Sequence, residues 1–244
     1  TMLIYPMNAR EIILNMLEAI TGARMTYNYV RIGGVWADLP VDIEKKMQDG
    51  FSEFSRLHNE FIDLLEEAQI FRIRTQGIGV MSKEMAMNYG TVGPVARASG
   101  VDFDVRRDDP YWGYDKLKFK VPVRTEGDSF ARYRVRLEEM QESINICWQV
   151  WDKYNELKAT DSFRNMDVPR RPPAGEVYRR IETGRGEGGF YLVSDGKTNP
   201  YRCRIKSPVF NNLQVLTPLV IGGKLADIPA VMGSIDLCVG DLDR

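Results

Sequence analysis

Gly233-Ser234-Ile235-Asp236-Leu237-Cys238-Val239-Gly240-Asp241-Leu242-Asp243-Arg244 follows an apolar helical run and closes the chain. In it a cysteine stands three positions before a carboxylate. Cys-x-x-Asp brings a thiolate and an acid within reach of one point, as a metal-binding turn does. Against this stands the ordinary behaviour of cysteine, a small hydrophobe that is most often buried. The surrounding sequence has to decide between the two.

Upstream of the tail, Pro208–Ile221 and Lys224–Met232 predict two helices. Before them comes a compact β unit: strands over Glu176–Glu182, Gly188–Ser194 and Tyr201–Lys206, with a turn at Asp195-Gly196. The link between its first two strands, Thr183-Gly184-Arg185-Gly186-Glu187-Gly188-Gly189, sets one arginine among glycines. Such a loop is either a flexible hairpin tip or a way of bringing a guanidinium up to a buried site with little steric hindrance. Arg164–Gly175, with Pro169, Pro172 and Pro173, predicts an irregular connection.

Two long helices precede the β unit. Asp128 caps the second, from Ser129 to about Lys158, whose buried stripe is expected to be Leu137, Met140, Ile144, Cys147, Trp148, Trp151 and Tyr154. The first opens at Pro40 and runs to about Arg72. Met47, Phe51, Phe54, His58, Phe61, Leu65 and Ala68 form its heptad-like seam. His58, the single histidine, reads there as a packing residue. An earlier helix, capped by Asn8 and closed by Gly22, shows one face of Ile13, Met16, Leu17 and Ile20. Between these helices, Gly22–Val35 carries Arg24, Arg31 and Gly33-Gly34, read as a tight turn or a loop pressed against another group. Ser82 caps a short helix over Lys83–Tyr89. Gly77-x-Gly79 lacks the third glycine of a nucleotide fingerprint, and Leu117–Pro122 is expected to be a short strand. The mixed charges of Asp102, Asp104, Arg106, Arg107, Asp108 and Asp109 predict local ion pairs.

The fold class is therefore mainly α with a small β unit, an α+β chain of a helical portion (1–164) and a β unit with C-terminal helices and tail (165–244). With 33 basic and 34 acidic side chains in 244 residues, the charge gives no bias toward nucleic acid. Three distant cysteines suit a reducing compartment rather than a disulfide framework. No apolar run approaches the roughly 18 residues of a membrane span, so membrane association is expected through partner proteins. The opening Thr1-Met2-Leu3-Ile4-Tyr5-Pro6 reads as the C-terminal part of something longer.

Several blocks taken together resemble one family. They are Arg24-Met25…Tyr29-x-Arg31-Ile32-Gly33-Gly34-Val35…Asp38-Leu39-Pro40, then Gly93-Pro94-x-x-Arg97-Ala98-Ser99-Gly100-Val101, then Gly127-Asp128…Ala131-Arg132. Gly188–Gly196 with Pro200-Tyr201-Arg202-Cys203, and the tail itself, complete the set. The pattern is similar to the C-terminal portion of the D-type subunit of respiratory complex I and of the large subunits of membrane-bound [NiFe] hydrogenases. That resemblance implies a hydrogenase-large-subunit-like helical bundle with a C-terminal β hairpin region. It also implies a peripheral place on the cytoplasmic side of a membrane complex, against a small subunit holding a [4Fe–4S] cluster and alongside other peripheral-arm and ion-pumping membrane subunits. No complete cofactor is expected in this chain.

Two departures then bear on the sub-type. Hydrogenase large subunits end with a Cys-x-x-Cys pair; here Cys238 matches the first thiolate and Asp241 replaces the second, leaving remnants of a metal-ligand motif. Complex I members carry a histidine after Gly-Ala-Arg-Met, where this chain has Thr26. Loss of an imidazolium donor there should lower the potential of the partner's cluster. Both departures point to the ferredoxin-linked, sulfur-reducing relatives. In that reading Cys238, Asp241 and Arg185 are the catalytic candidates, with Arg185, in the Glu182-x-x-Arg185-Gly186 loop, stabilising anionic sulfur. Arg31 and Thr26 would lie near the partner's cluster. Polysulfide or sulfane sulfur is the expected acceptor. A complex I-like quinone reductase is the alternative, and a structural coupling subunit with a degenerate metal site the further one.

Overall fold

The computed structural model describes residues 4–157 and 171–243. Chain contacts divide it into two compact units, Thr1–Gln69 with Trp151–Arg170, and Ile70–Val150 with Arg171–Arg244. The expected partition at 164/165, the Lys158 end of the second long helix and the prolyl connection up to residue 170 lie outside the described residues.

The first unit is built on two helices, α1 (Ile4–Thr21) and α2 (Ile43–Glu67). They approach closely at Gly50, where an added Cβ would stand 2.8 Å from the Met16 sulfur. The seam of α2 is shielded as its spacing predicts, with His58 and Leu65 buried, and His58 stacks on Phe54. Burial lowers the His58 pKa, which favours the neutral ring of a packing residue. Helix α1 already runs from Ile4, so Asn8 lies inside it and is not its cap; Gly22 closes it as expected, at φ 76°. Between the helices, strands β1 (Val30–Arg31) and β2 (Gly34–Val35) form a minimal antiparallel hairpin, so the paired glycines are a tight turn. The first long helix does not reach Arg72 unbroken. It stops at Glu67, extended Ala68 follows, and α3 (Gln69–Thr75) is a separate helix.

In the second unit the short helices α4 (Lys83–Asn88), α5 (Pro94–Arg97) and α6 (Val105–Asp108) lead to the long α7 (Ser129–Leu157). Ser82 and Asp128 act as the expected caps, accepting hydrogen bonds from Met85 N at 3.1 Å and Ala131 N at 2.7 Å. The Gly77 turn is tied to the same cap, donating to the Asp128 carboxylate at 2.8 Å. Leu117–Pro122 is not a strand. Its backbone groups pair with side chains of α7 instead: Gln149 Oε1 accepts from Lys118 N at 2.8 Å, Gln149 Nε2 donates to Lys118 O at 2.6 Å, and Glu142 accepts from Lys120 N at 3.1 Å. Cys147, expected in the core, is exposed, while its neighbours Ile144 and Ile146 are buried.

The β unit matches its sequence reading: β3 (Gly175–Thr183), β4 (Gly186–Ser194) and β5 (Arg202–Lys206) form an antiparallel sheet in that order. The two expected C-terminal helices are broken into α8 (Pro208–Leu213), α9 (Leu216–Val220) and, after a 3-10 turn at Leu225–Asp227, α10 (Ile228–Ile235). One turn of helix, α11 (Val239–Leu242), ends the described chain. The breaks let Val215, Leu219, Val231 and Ile235 pack on Met81, Ala86 and Val95 as one apolar cluster. Among the described residues no helix is long and apolar enough to cross a membrane.

Candidate functional site

Arg185 sits at the tip of the β3–β4 hairpin. Thr183 pairs with Gly186, so Gly184-Arg185 is a two-residue turn rather than a flexible glycine loop. Thr183 Oγ1 locks the turn, donating to Gly186 O at 2.8 Å and accepting from Arg185 N at 3.3 Å. The tip is seated where two glycine backbones cross. A Cβ on Gly93 (φ 66°) would fall 2.5 Å from the Gly186 Cα, a distance no side chain tolerates. Buried Asn212 clamps the same place, accepting from Val92 N at 2.9 Å and donating to Val92 O at 3.3 Å and Arg185 O at 3.5 Å. Thus held, the Arg185 guanidinium reaches Asp236. Its Nε donates to the carbonyl at 3.1 Å and lies 3.2 Å from Oδ2, and Nη2 donates to Oδ1 at 3.4 Å. Asp236 ends α10 in the left-handed region, at φ 59°.

Two residues on, Cys238 precedes α11 as a free, half-buried thiol. The turn brings Cys238 and Asp241 together through the backbone, Asp241 N donating to Cys238 O at 3.1 Å. The Asp241 carboxylate accepts from Ser207 Oγ at 2.6 Å, and that hydroxyl also caps α8. Among the described residues no three His, Cys, Asp or Glu side chains gather as a metal site. One thiol beside an acid already bonded to a serine offers one soft ligand where a thiolate pair would offer two.

Two buried arginines, Arg97 and Arg132, and the half-buried Arg136 are of two kinds. Arg97 is 1% exposed and surrounded by acids: Nε lies 2.7 Å from Glu139, Nη2 2.9 Å from Glu182 and Nη1 3.6 Å from Asp104. Asp104 is also paired with Arg106 at 2.7 Å. Burial works against the Arg97 charge, but Glu139 and Glu182 hold its pKa above the usual value. Burial raises the Glu182 pKa. Arg132 on α7 is fully buried and bonded to neutral groups: Ser234 Oγ at 2.8 Å, Gly127 O at 2.9 Å and Gly79 O. Burial pushes its pKa down to about 10. Arg136, one turn further, donates to Arg132 O at 3.2 Å, and its buried Nε has no partner. Burial lowers its pKa too, against the opposing field of Asp236 and Glu139.

The family described as respiratory-chain NADH dehydrogenase, 49 Kd subunit, matches this sequence over residues 1–171 and 153–244. The chain belongs to it. As a D-type subunit of the complex I and hydrogenase superfamily, it is similar over its whole length to a D-type subunit of NADH-quinone oxidoreductase from Roseiflexus sp., at 41% identity and over 67% of that protein. It is 41% identical to the D-type subunit of NADH-quinone oxidoreductase from Dehalococcoides mccartyi, and 40% identical to that of F(420)H(2) dehydrogenase from Methanosarcina mazei, covering 66% of each. The chain therefore spans about two thirds of the length of these relatives.

In this D-type chain the other two candidate residues lie in the first unit. Thr26 is exposed in the left-handed region at φ 55°, its hydroxyl donating to Met25 O at 2.7 Å. The Arg31 guanidinium lies 4.1 Å over the Trp36 ring. Arg24 is bound to α1 through Asn15 at 2.7 Å, Glu18 at 3.0 Å and Glu11. Sequence reasoning missed Asp236, the direct partner of Arg185, and Arg136. The signal for Arg136 was available in the i, i+4 spacing of Arg132 and Arg136 on a helix expected to be buried.

Proposed function

We propose that this chain is the D-type subunit of a complex I-like oxidoreductase attached to a membrane as a peripheral part, and that a quinone is the acceptor. The subunit works only within its complex. The observation that carries the reading is the donor set of the tail. With Asp241 tied to Ser207 and Cys238 the one thiol there, the Arg185–Asp236 pair is the polar feature left to meet an acceptor. Similarity at about 40% identity to subunits named for quinone oxidoreductases supports the same acceptor. The sequence departures at Cys238 and Thr26 favour polysulfide or sulfane sulfur; the tail donors and the names of the relatives support quinone.

An iron–sulfur cluster held by an adjacent small subunit would supply single electrons to such a site. Two electrons and two protons convert the quinone to a quinol. This chain's part is to hold the acceptor oxygen near a fixed guanidinium. Asp236 grips Arg185 from backbone and side chain, so the donor needs no reorganisation when negative charge develops. Arg31 and Thr26 belong to the surface offered to the small subunit, and ion-pumping membrane subunits complete the assembly.

The test is acceptor reduction by the purified complex, driven by its own electron donor, with a water-soluble quinone and with polysulfide in parallel. Quinone turnover that falls by about tenfold or more in Arg185→Met is expected. Turnover with polysulfide and none with quinone would reverse the order of acceptors.

A further inference from the structure

The charges around the hairpin tip do not balance. Arg136 and Arg185 share the field of the single carboxylate of Asp236, which Arg185 engages with both oxygens. Glu139, the other acid in reach of Arg136, is bonded to Arg97 at 2.7 Å. Asp128, the acid whose field acts on Arg132, accepts from Gly77 N and Ala131 N. Arg132 has a structural task, holding together the Gly79 and Gly127 turns and Ser234 of α10. Arg136 has none of comparable extent. A guanidinium carries five N–H donors; among the described residues Arg136 makes one hydrogen bond, to Arg132 O, and its Nε is unpaired, as is that of Arg132. Neither guanidinium has an ion-pair partner among the described residues.

An unpaired charge and an unpaired buried donor in one side chain are costly to fold, and such groups call for an external partner. Elsewhere in the same unit the chain supplies acids generously, as Arg97 shows. Of the two, Arg132 is fully buried, whereas Arg136 is half-buried and has donors left to meet an anion that this chain does not carry.

We propose that Arg136 is a second acceptor-holding residue beside Arg185, and that its spare guanidinium donors bind the negatively charged oxygen of the acceptor once the first electron has arrived. The inference rests on the acceptor site lying at the Arg185–Asp236 pair. It assigns the two arginines different tasks. Arg185, already neutralised by Asp236, orients the neutral acceptor. Arg136, not neutralised, favours the reduced state over the oxidised one and so acts on turnover more than on binding.

The experiment compares complexes carrying Arg136→Lys, Arg136→Gln and Arg136→Met with the unsubstituted complex, using both a water-soluble quinone and polysulfide. Transfer from the electron donor to ferricyanide, which accepts electrons upstream, reports intact assembly. In Arg136→Gln and Arg136→Met, kcat with quinone should fall by about tenfold or more, with KM for the neutral quinone within about twofold. Arg136→Lys, which keeps the charge, should recover most of the rate. Unchanged kcat in an assembled Arg136→Gln complex overturns the proposal. So does a lysine variant as slow as the glutamine one, which would make the requirement one of shape. If Arg136→Met does not assemble, the lysine and glutamine variants still decide. No quinone turnover by the unsubstituted complex sinks the acceptor reading alone, and the lysine–glutamine comparison is then read with polysulfide.

Discussion

Arg97 and Arg132 are buried and Arg136 half-buried in one unit, and Arg97 is treated in the opposite way to the other two. Arg97 meets Glu139, Glu182 and Asp104. Arg132 meets carbonyls and a hydroxyl, and Arg136 meets one carbonyl. A guanidinium enclosed by carboxylates is a closed structure: its charge is spent on neighbours and its removal strands them. One enclosed by neutral dipoles keeps an outward field that falls on whatever enters the space nearby. The β3–β4 hairpin joins the two settings, since Glu182 belongs to the first and Arg185, three residues on, to the second. The closed cluster thus anchors the strand that carries the open one.

The largest effect should follow from breaking the closed cluster. Arg97→Met leaves three acids without their shared cation and should cost about 3–5 kcal/mol of stability, read as a lowered urea midpoint. A loss below about 1 kcal/mol would mean that the acids are satisfied elsewhere, and the contrast would fail. Next comes the seat of the hairpin. Gly93→Ala forces a Cβ into the Gly186 backbone at a positive φ and should cost about 2–3 kcal/mol. It should also impair the Arg185-dependent reaction, because the tip must move. Arg132→Met should be milder, about 1–2 kcal/mol, since it strands neutral acceptors and relieves a buried charge. If it proved as damaging as Arg97→Met, the two arginines would not differ in kind.

The smallest effect lies in the pH profile. Burial would raise the Asp104 pKa, but the bonds and charges of Arg106 and Arg97 pull it below the ordinary 3.8. Below that value the unfolded chain binds more protons than the folded one, so this part of the stability is present above pH 3.8 and lost as pH falls through the folded pKa. Arg97 and Arg106, which stay charged, and Glu182 and Asp108, which share the cluster, face the group throughout. Asp104→Asn should therefore flatten the acid limb of thermal stability. Parallel limbs for the two proteins would assign the proton uptake to another acid.

Local chemistry made much of the chain readable. The Ser82 and Asp128 caps, the α2 seam, the β-unit strands and the Asp102–Asp108 ion pairs depend on neighbours a few residues away, and each appears where its residues predict it. Misreadings arose where a distant element supplied what a local pattern implied. Leu117–Pro122 looks like a strand but finds its hydrogen bonds on α7, and Pro208–Ile221 looks like one helix but breaks to fill a core from several segments.

Residue type and order alone were enough for the mixed α+β class and for the family. Folding in three dimensions was needed to show that Asp236 grips Arg185, which is not left on a loose tip, and that Arg136 lies half-buried with donors to spare. Ion pairing depends on separation in space, and the pairs that matter here join residues 42, 51 and 85 positions apart, beyond the reach of any local pattern.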